Sequence, residues 1–204
     1  MRIEIAPDFY CDDWEELETK LDPNGDWGKN PFAWERSIGV IQGRIETRFL
    51  GCANELRDIQ YAGFAILALD CLLIETVQAF RSGQAAKNAK ESREAYKAFL
   101  TSSPHFRNFF LGNTADDFYR NVRNGLLHDG ETRRGWLVRA GRKYELVQRQ
   151  PNGFVIVNRE KFHQALLQEA RSYLKNLSNP LEKERRKNLI RAMNDLCARS
   201  RPKL

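Results

Sequence analysis

The sequence predicts a mainly helical protein, an antiparallel helical bundle that carries a small antiparallel β meander and two further helices at its C-terminal end. Apolar residues recur every three or four positions through most of the 204-residue chain, which is the pattern of helices that bury one face. Segment 61–80 is apolar almost all round and therefore belongs at the centre of a bundle. The period shortens to that of strands only between residues 136 and 158.

Residues 1–31 are predicted to form a partly ordered N-terminal arm, and residues 32–204 a single domain. Turn signals at Asp22-Pro23 and Asn30-Pro31 interrupt the arm. We expect one short helix within it, over residues 12–21.

The core of the predicted domain spans residues 32–130. Its second helix is apolar except for Asp70, Glu75 and a few other polar groups. Such carboxylates are costly in a lipid bilayer, so a core helix is favoured over a membrane span, and in a protein core both need partners. Four core helices are expected, over 32–49, 57–81, 91–100 and 114–130.

The meander is predicted between residues 136 and 158, where short segments are rich in Val, Tyr, Phe and Trp. Two amphipathic helices follow it, over residues 159–198. The three strands are expected over 136–140, 144–148 and 154–158.

The four cysteines include no C-x-x-C pair, and no histidine lies at zinc spacing from them. Free thiols in a reducing cytosol are therefore expected, and neither a metal nor a cofactor is implied. The N-terminus lacks the basic start and apolar core of a signal peptide. These observations predict a cytoplasmic protein without a membrane partner.

The net charge of +6 conceals an asymmetry along the chain. Residues 1–30 hold three basic and nine acidic side chains, so the remaining chain carries +12. Residues 131–150 and the segment from residue 181 onward are the most basic. Basic surface attracts phosphate backbones without reading sequence, although a merely soluble surface explains the charge equally well. The acidic segment could bind a partner or mask a site.

Segment 114–130, TADDFYRNVRNGLLHDG, is predicted to be one well-capped helix. Thr114 is suited to cap its first turn, and Gly130 to end it in the left-handed conformation. One buried stripe is expected, Phe118, Val122 and Leu126. The helix end presents three polar residues together, Arg123, Asn124 and His128.

The run R-N-G-L-L-H, from Arg123 to His128, resembles the Arg-x-x-x-x-His signature of HEPN-domain proteins, where R-N-x-x-x-H is a common form. The resemblance covers roughly Phe32 to Gly130. It implies a HEPN-like bundle, ribonuclease or toxin-like activity on RNA, and catalytic roles for Arg123, Asn124 and His128. Related bundles often place an acidic residue on the second helix facing the motif, and Glu75 fits that position.

The residue types suit RNA cleavage in which the 2′-OH of the substrate attacks the adjacent phosphorus. Histidine supplies an acid or base near neutral pKa. Arginine supplies a planar fork of donors for the charge that develops on the phosphorane. The expected products carry 2′,3′-cyclic phosphate and 5′-hydroxyl ends.

At about 100° per residue, Asn124 and His128 share one helix face, whereas Arg123 is rotated about 140° from His128. Either the arginine side chain bends across, helped by the lack of a side chain at Gly125, or a second subunit completes the pair. The resemblance implies the second arrangement, a homodimer with the helix 114–128 at its interface.

Three arginines that follow the motif, Arg133, Arg134 and Arg139, are candidates for substrate binding, with a solvated basic hairpin as the alternative. Arg123 could instead be a structural partner of Glu75 or Asp70. The chain could also be a non-catalytic module that binds RNA or a partner through its basic C-terminal half, with Arg185, Arg186 and Lys187 as contacts. Some HEPN toxins continue the motif with a tyrosine that the antitoxin modifies, but Asp129 follows His128 here. A toxin restrained by another antitoxin or regulatory protein, and a phage-defence effector, both remain open.

Overall fold

The computed structural model describes residues 2–202 and is mainly helical with small sheets, as predicted. The helices are Cys11–Glu18 (α1), Pro31–Ile45 (α2), Gly51–Glu55 (α3), Gly63–Ser82 (α4), Ala89–Ser102 (α5), Thr114–Phe118 (α6), Asn124–Asp129 (α7), Arg159–Leu177 (α8) and Lys183–Ser200 (α9). The strands are Glu4–Ala6 (β1), Phe9–Tyr10 (β2), Trp136–Arg139 (β3), Val147–Arg149 (β4) and Val155–Asn158 (β5). Two π-helical turns occur, at Glu46–Leu50 and Tyr119–Arg123.

The chain divides into two compact units whose boundaries differ from the predicted division after residue 31. Unit one contains the residues up to 48, residues 76–86 and the residues from 170 onward. Unit two contains residues 49–75 and 87–169, and it holds the whole of the R-N-G-L-L-H motif.

The N-terminal segment of unit one, predicted to be a partly ordered arm, contains regular structure. Strands β1 and β2 pair in antiparallel fashion, and α1 begins directly after β2, one residue before the predicted helix. The indole of Trp14 on α1 is fully buried, and its Nε1 donates to Asn194 Oδ1 at 2.7 Å. Tryptophan anchors of this kind explain why the segment is ordered.

Opposite charges from the two ends of the chain meet in unit one. Lys183 lies 3.0 Å from Asp26, and Arg201 lies 2.8 Å from Glu15. The acidic N-terminal and basic C-terminal segments therefore neutralise part of each other's charge.

Arg186 is a structural residue of unit one. Its side chain is fully buried, and burial lowers the pKa of its guanidinium. The expectation that Arg186 contacts RNA in a binding-only module is therefore wrong, because its donors are already engaged. They bond to four backbone carbonyl oxygens, those of Gly25, Leu177, Asn179 and Pro180, at 2.6–2.8 Å.

The sheet of unit two has the strand order β3-β5-β4, so the predicted antiparallel meander is wrong. Strand β5 lies in the centre, parallel to β3 and antiparallel to β4. All four residues of β5 are buried, and a central strand buries its apolar residues better than an edge strand. Asn158 at its end donates to the carbonyls of Gly141 and Tyr144, both at 3.0 Å, and so fixes the connection between β3 and β4.

An aromatic cluster joins the helices and the sheet of unit two. The Phe118 ring stacks on Phe162 with centroids 5.3 Å apart and meets Trp136 edge-on at 5.8 Å. Because Phe118 precedes the motif on the same helix, this packing fixes the position of the helix relative to β3 and α8. The cluster is completed by Phe99, Phe106 and Phe110.

Helix α4 is long and apolar enough to cross a membrane by length and composition alone, a test that core helices also pass. It starts at Gly63, six residues later than predicted. As expected, both of its carboxylates have partners in unit two. Asp70 Oδ1 lies 2.7 Å from His163 Nδ1, and Glu75 pairs with Arg123. These pairs favour a core helix.

Candidate functional site

The motif lies on a helix that runs without a break from Thr114 to Asp129 but contains a π turn. The N–H of Asn124 donates to the carbonyl of Tyr119, five residues earlier. Turns of this kind insert one extra residue and occur frequently at functional sites. The predicted stripe is buried, and Gly130 ends the helix at φ 71° as expected. Thr114 is the first helical residue and not the cap, and its hydroxyl accepts from Arg149 Nη2 at 3.3 Å.

Arg123 and Glu75 form the best-defined contact of the site. Nε of Arg123 donates to Glu75 Oε1 at 2.8 Å, and Nη2 lies 2.5 Å from the same oxygen in the ion pair. The hydroxyl of Ser92 on α5 donates to the same oxygen at 3.1 Å. The side chains of Arg123 and Glu75 are 15% and 31% exposed, so this ion pair is largely shielded and better defined than a surface pair.

The arginine also reaches along the helix. Its Nη1 donates to Asn124 Oδ1 at 3.0 Å, and its guanidinium carbon lies 5.4 Å from the centre of the Tyr119 ring. Three of the four predicted catalytic residues, Arg123, Asn124 and Glu75, are thus brought together.

His128 is exposed on the last turn of α7. It follows Asn124 by four residues, so the two side chains lie on one helix face. Within residues 2–202 its ring has no hydrogen-bond partner, and the hydrogen bonds and ion pair of Arg123 go to Glu75 and Asn124. The structure therefore places His128 beside the cluster without joining it to the cluster.

Gly125 is required by the backbone packing of the chain after the helix. A Cβ atom there would overlap the carbonyl oxygen of Glu131, whose N–H donates back to the Gly125 carbonyl at 3.3 Å. This close approach, and not the passage of the arginine side chain, explains the glycine.

A cleft of about 310 Å³ opens beside Asn124 on this helix. We call it the arginine cleft. Two of its arginines have carboxylate partners: Arg120 Nε lies 3.0 Å from Asp116 Oδ2, and Arg133 Nε donates to Asp129 at 2.6 Å. The cleft is lined by Asp117, Arg120, Asn121, Asn124, Arg133 and Arg134.

Arg134 is the cation of the arginine cleft that is most available to a ligand. It is exposed, and its side chain has no ion pair or hydrogen bond with the described part of the chain. Its backbone is in the left-handed region, with φ 50°. The neighbouring N–H of Arg133 donates to the Asn121 carbonyl at 2.8 Å, and this bond anchors the segment after Gly130 on the motif helix.

Arg139 is separated from the other two predicted substrate-binding arginines. It lies on β3 and lines a different cleft, near Tyr61 and Arg159. Arg133 and Arg134 lie with Asn124, whereas Arg139 does not.

A second ion-pair cluster fixes the start of the motif helix. Arg93 on α5 hydrogen-bonds to Asp116, and this contact, with the charge of Arg120, holds the pKa of the Asp116 carboxyl below its ordinary value. Asp116 is therefore ionised at neutral pH and offsets part of the positive charge of Arg120.

The Cys71 thiol and a bound metal ion are two alternative centres that the structure of unit two does not support. Burial raises the pKa of the Cys71 thiol to about 12, so it is not a nucleophile at neutral pH. Within residues 2–202, no group of three or more His, Cys, Asp or Glu side chains is arranged to hold a metal ion.

Three contributors to the site were not predicted from the sequence. Arg120 precedes Asn124 by four residues, and this helical spacing could have placed it on the same face. Ser92 and Asn121 carry no such signal, because one contacts Glu75 from another helix and the other accepts from a loop.

The chain matches no protein-family model, no curated protein and no solved structure.

Proposed function

We propose that this protein is a metal-independent endoribonuclease of the HEPN type, acting as a toxin or a phage-defence effector, which cleaves RNA to 2′,3′-cyclic phosphate and 5′-hydroxyl ends. One observation carries the proposal. Arg123 is oriented by Glu75 and reaches Asn124, which shares its helix face with the exposed His128.

The cluster leaves Arg123 able to bind a phosphate. A guanidinium has five N–H donors, and three of them are engaged by Glu75 and Asn124. The remaining two can donate to the oxygens that gain negative charge as the 2′-oxygen bonds to phosphorus and the bond to the 5′-oxygen breaks. A side chain held by an ion pair needs little reorganisation to do so.

His128 is proposed to transfer protons in this reaction, as a general acid or base. The 2′-hydroxyl loses a proton to a base, and the departing 5′-oxygen gains one from an acid. The imidazole of His128 is exposed and unpartnered within residues 2–202, so it is accessible to substrate.

The arginine cleft is proposed to hold the neighbouring phosphates of a single-stranded RNA, whose 2′-hydroxyls and bases are accessible. Arg133 and Arg134 fill the predicted substrate-binding role there, beside Asn124. Arg139 is not part of this path.

The proposed site is completed by a second copy of the chain, with the helix 114–128 at a two-fold interface. This arrangement brings the His128 of one subunit towards the Arg123 of the other, which the helix geometry of one subunit does not do.

The test is RNA cleavage in EDTA with analysis of the product ends. Arg123→Ala and His128→Ala should each lower the rate by 10²-fold or more, the range for loss of acid–base or electrostatic catalysis. Arg123→Lys keeps the charge but not the planar fork and should also be strongly impaired. His105→Ala is the matched control. Unchanged cleavage in folded Arg123→Ala and His128→Ala would reject the proposal.

A second candidate is a non-catalytic module that binds RNA or a regulatory protein. The extensive engagement of Arg123 by Glu75 and Asn124 favours it, since a purely structural ion pair has the same geometry. It predicts salt-dependent RNA binding through Arg133 and Arg134, without cleavage and without any effect of His128→Ala.

A further inference from the structure

A second cleft, of about 440 Å³, lies in unit two between the start of α4, the end of β3 and the first residue of α8. Its volume is within the range of small-ligand sites. We call it the aromatic cleft. It combines two aromatic rings with two arginines and has no carboxylate in its lining, which consists of Tyr61, Gly63, Phe64, Val138, Arg139, Ala140 and Arg159.

Tyr61 presents its ring to solvent at the mouth of the aromatic cleft. The residue is 90% exposed, and its φ is +67°. For a bulky side chain this left-handed conformation is a genuine outlier, and strain of this kind clusters at ligand clamps and other functional sites. Within residues 2–202 no hydrogen bond or ring contact of Tyr61 offsets the strain. Both faces of the ring are free to stack.

Arg159 supplies a half-buried cation without a protein acceptor. Its guanidinium makes no hydrogen bond or ion pair with residues 2–202, and its Nη1 is buried without a partner. A Cβ at Gly63 would lie 3.2 Å from Arg159 Cδ and 3.4 Å from its Nη1. The glycine thus lets the arginine lie against the start of α4, which confines the guanidinium at the cleft.

Arg139 adds a second positive charge to the lining of the aromatic cleft. Its Nη1 donates only to a neighbouring carbonyl, that of Val138, at 2.9 Å. Glu160, the residue after Arg159, accepts a hydrogen bond from the Gly141 N–H at 3.0 Å. Two cations without a carboxylate in the lining favour an anionic ligand, and the buried Nη1 of Arg159 needs an acceptor.

We propose that the aromatic cleft binds a nucleoside phosphate, with the base stacked on Tyr61 and the phosphate held by Arg159 and Arg139. Every base offers a flat π-face to an aromatic ring, and a guanidinium fork fits phosphate in bidentate fashion. The ligand is either a free mononucleotide or one nucleotide of an RNA strand. The inference does not depend on cleavage, because the aromatic cleft shares no lining residue with the arginine cleft.

The experiment measures binding of two probes to the full chain by calorimetry at about 0.1 M salt. One probe is adenosine 5′-monophosphate, and the other is a ten-nucleotide single-stranded RNA with 2′-O-methyl groups, which cannot be cleaved through its 2′-oxygen. Tyr61→Ala and Arg159→Gln should each weaken binding by about tenfold or more, as for loss of one stacked base. Tyr61→Phe should bind as the parent does.

Matched controls separate the cleft from general surface effects. Phe32→Ala removes an aromatic ring that is 81% exposed outside the cleft, and Arg142→Gln removes an exposed arginine close to β3. Both should leave the affinity unchanged. Thermal unfolding of each variant identifies any loss through misfolding.

Binding of the mononucleotide, lost in Tyr61→Ala, identifies a free nucleotide as the ligand. If only the RNA binds, and its binding is also lost in Tyr61→Ala, the ligand is one nucleotide of an RNA strand. If neither probe binds, or if folded Tyr61→Ala and Arg159→Gln bind both probes as the parent does, the inference is wrong. His128→Ala distinguishes this outcome from failure of the proposed function, because it should abolish cleavage and leave binding in the aromatic cleft unchanged.

Discussion

Arg123 directs two of its nitrogens, Nε at 2.8 Å and Nη2 at 2.5 Å, to a single carboxylate oxygen of Glu75. The same oxygen accepts from Ser92. One carboxylate thus fixes the orientation of the guanidinium and connects the motif helix to α4 and α5.

Substitution of Glu75 by glutamine should weaken both the fold and the site. The neutral amide keeps the shape but loses the charge-assisted hydrogen bonds, so the free energy of unfolding should fall by about 1–3 kcal/mol. Urea unfolding measures the change. Glu94→Gln, an exposed position on α5, should change it by less than about 0.5 kcal/mol. Equal effects of the two substitutions would show that the contact with Arg123 contributes no more than an exposed carboxylate does.

Mixing two inactive variants tests whether the site is shared between subunits. If the Arg123 of one subunit acts with the His128 of the other, a heterodimer of Arg123→Ala and His128→Ala contains one intact pair. An equimolar mixture after subunit exchange should then regain about a quarter of the parent activity, as expected for random two-fold pairing. Cleavage assays before and after exchange measure the recovery. No recovery, despite heterodimers detected by native mass spectrometry, would place both residues in one subunit.

Two glycine substitutions should have opposite effects on stability. Gly125→Ala places a methyl group against the Glu131 carbonyl and should destabilise the protein by about 1–3 kcal/mol, as overpacking does. Gly39→Ala lies in α2 with no atom within 4 Å of the added methyl, and it should stabilise by about 0.5–1 kcal/mol. Thermal or urea unfolding measures both. A neutral Gly125→Ala would contradict the close approach of the loop to the helix.

The ion pair at Asp116 should contribute to the acid sensitivity of the fold. Contact with Arg93 holds the pKa of the folded-state Asp116 below its ordinary value of 3.8. The stabilisation is therefore present above about pH 4 and is lost as the pH falls through the folded-state pKa. Asp116→Asn should lower the free energy of unfolding at pH 7. On acidification, the variant should lose less of its stability than the parent protein does.

Urea unfolding at pH 7, 5 and 3 measures this dependence. Asp58→Asn is the control, because Asp58 is an exposed carboxylate without an ion pair in the described residues. Parallel pH curves for the parent protein and Asp116→Asn would contradict the prediction.

The local features of the motif helix could be predicted from the sequence, whereas the features set by distant residues could not. The stripe through Phe118 and the left-handed Gly130 depend on short-range periodicity and backbone sterics. The π turn at Tyr119–Arg123 was not predicted, because a stripe that repeats every four residues is also compatible with a regular α-helix. To predict that Arg123 pairs with Glu75, only one choice had to be made, between Glu75 and Asp70 on the same predicted helix.

The tertiary placement of basic side chains was not predictable in the same way. Arg186 and Arg139 count equally toward the net charge. In the structure, however, Arg186 is buried and bonded to backbone carbonyls, whereas Arg139 lines the aromatic cleft. The predicted strand order was wrong for a related reason. Periodicity predicts that strands exist but does not show which strands pair.

The central position of β5 sets an order of events during folding. Neither β3 nor β4 pairs with the other, so neither gains a hydrogen-bonded neighbour until residues 155–158 are available. The β4–β5 pairing closes a short hairpin loop, residues 150–154, whereas the β3–β5 pairing spans residues 140–154. The more distant pairing should be the slower of the two to form. During synthesis, residues 136–149 therefore leave the ribosome without a partner, and a chain truncated before Val155 should have no sheet in unit two.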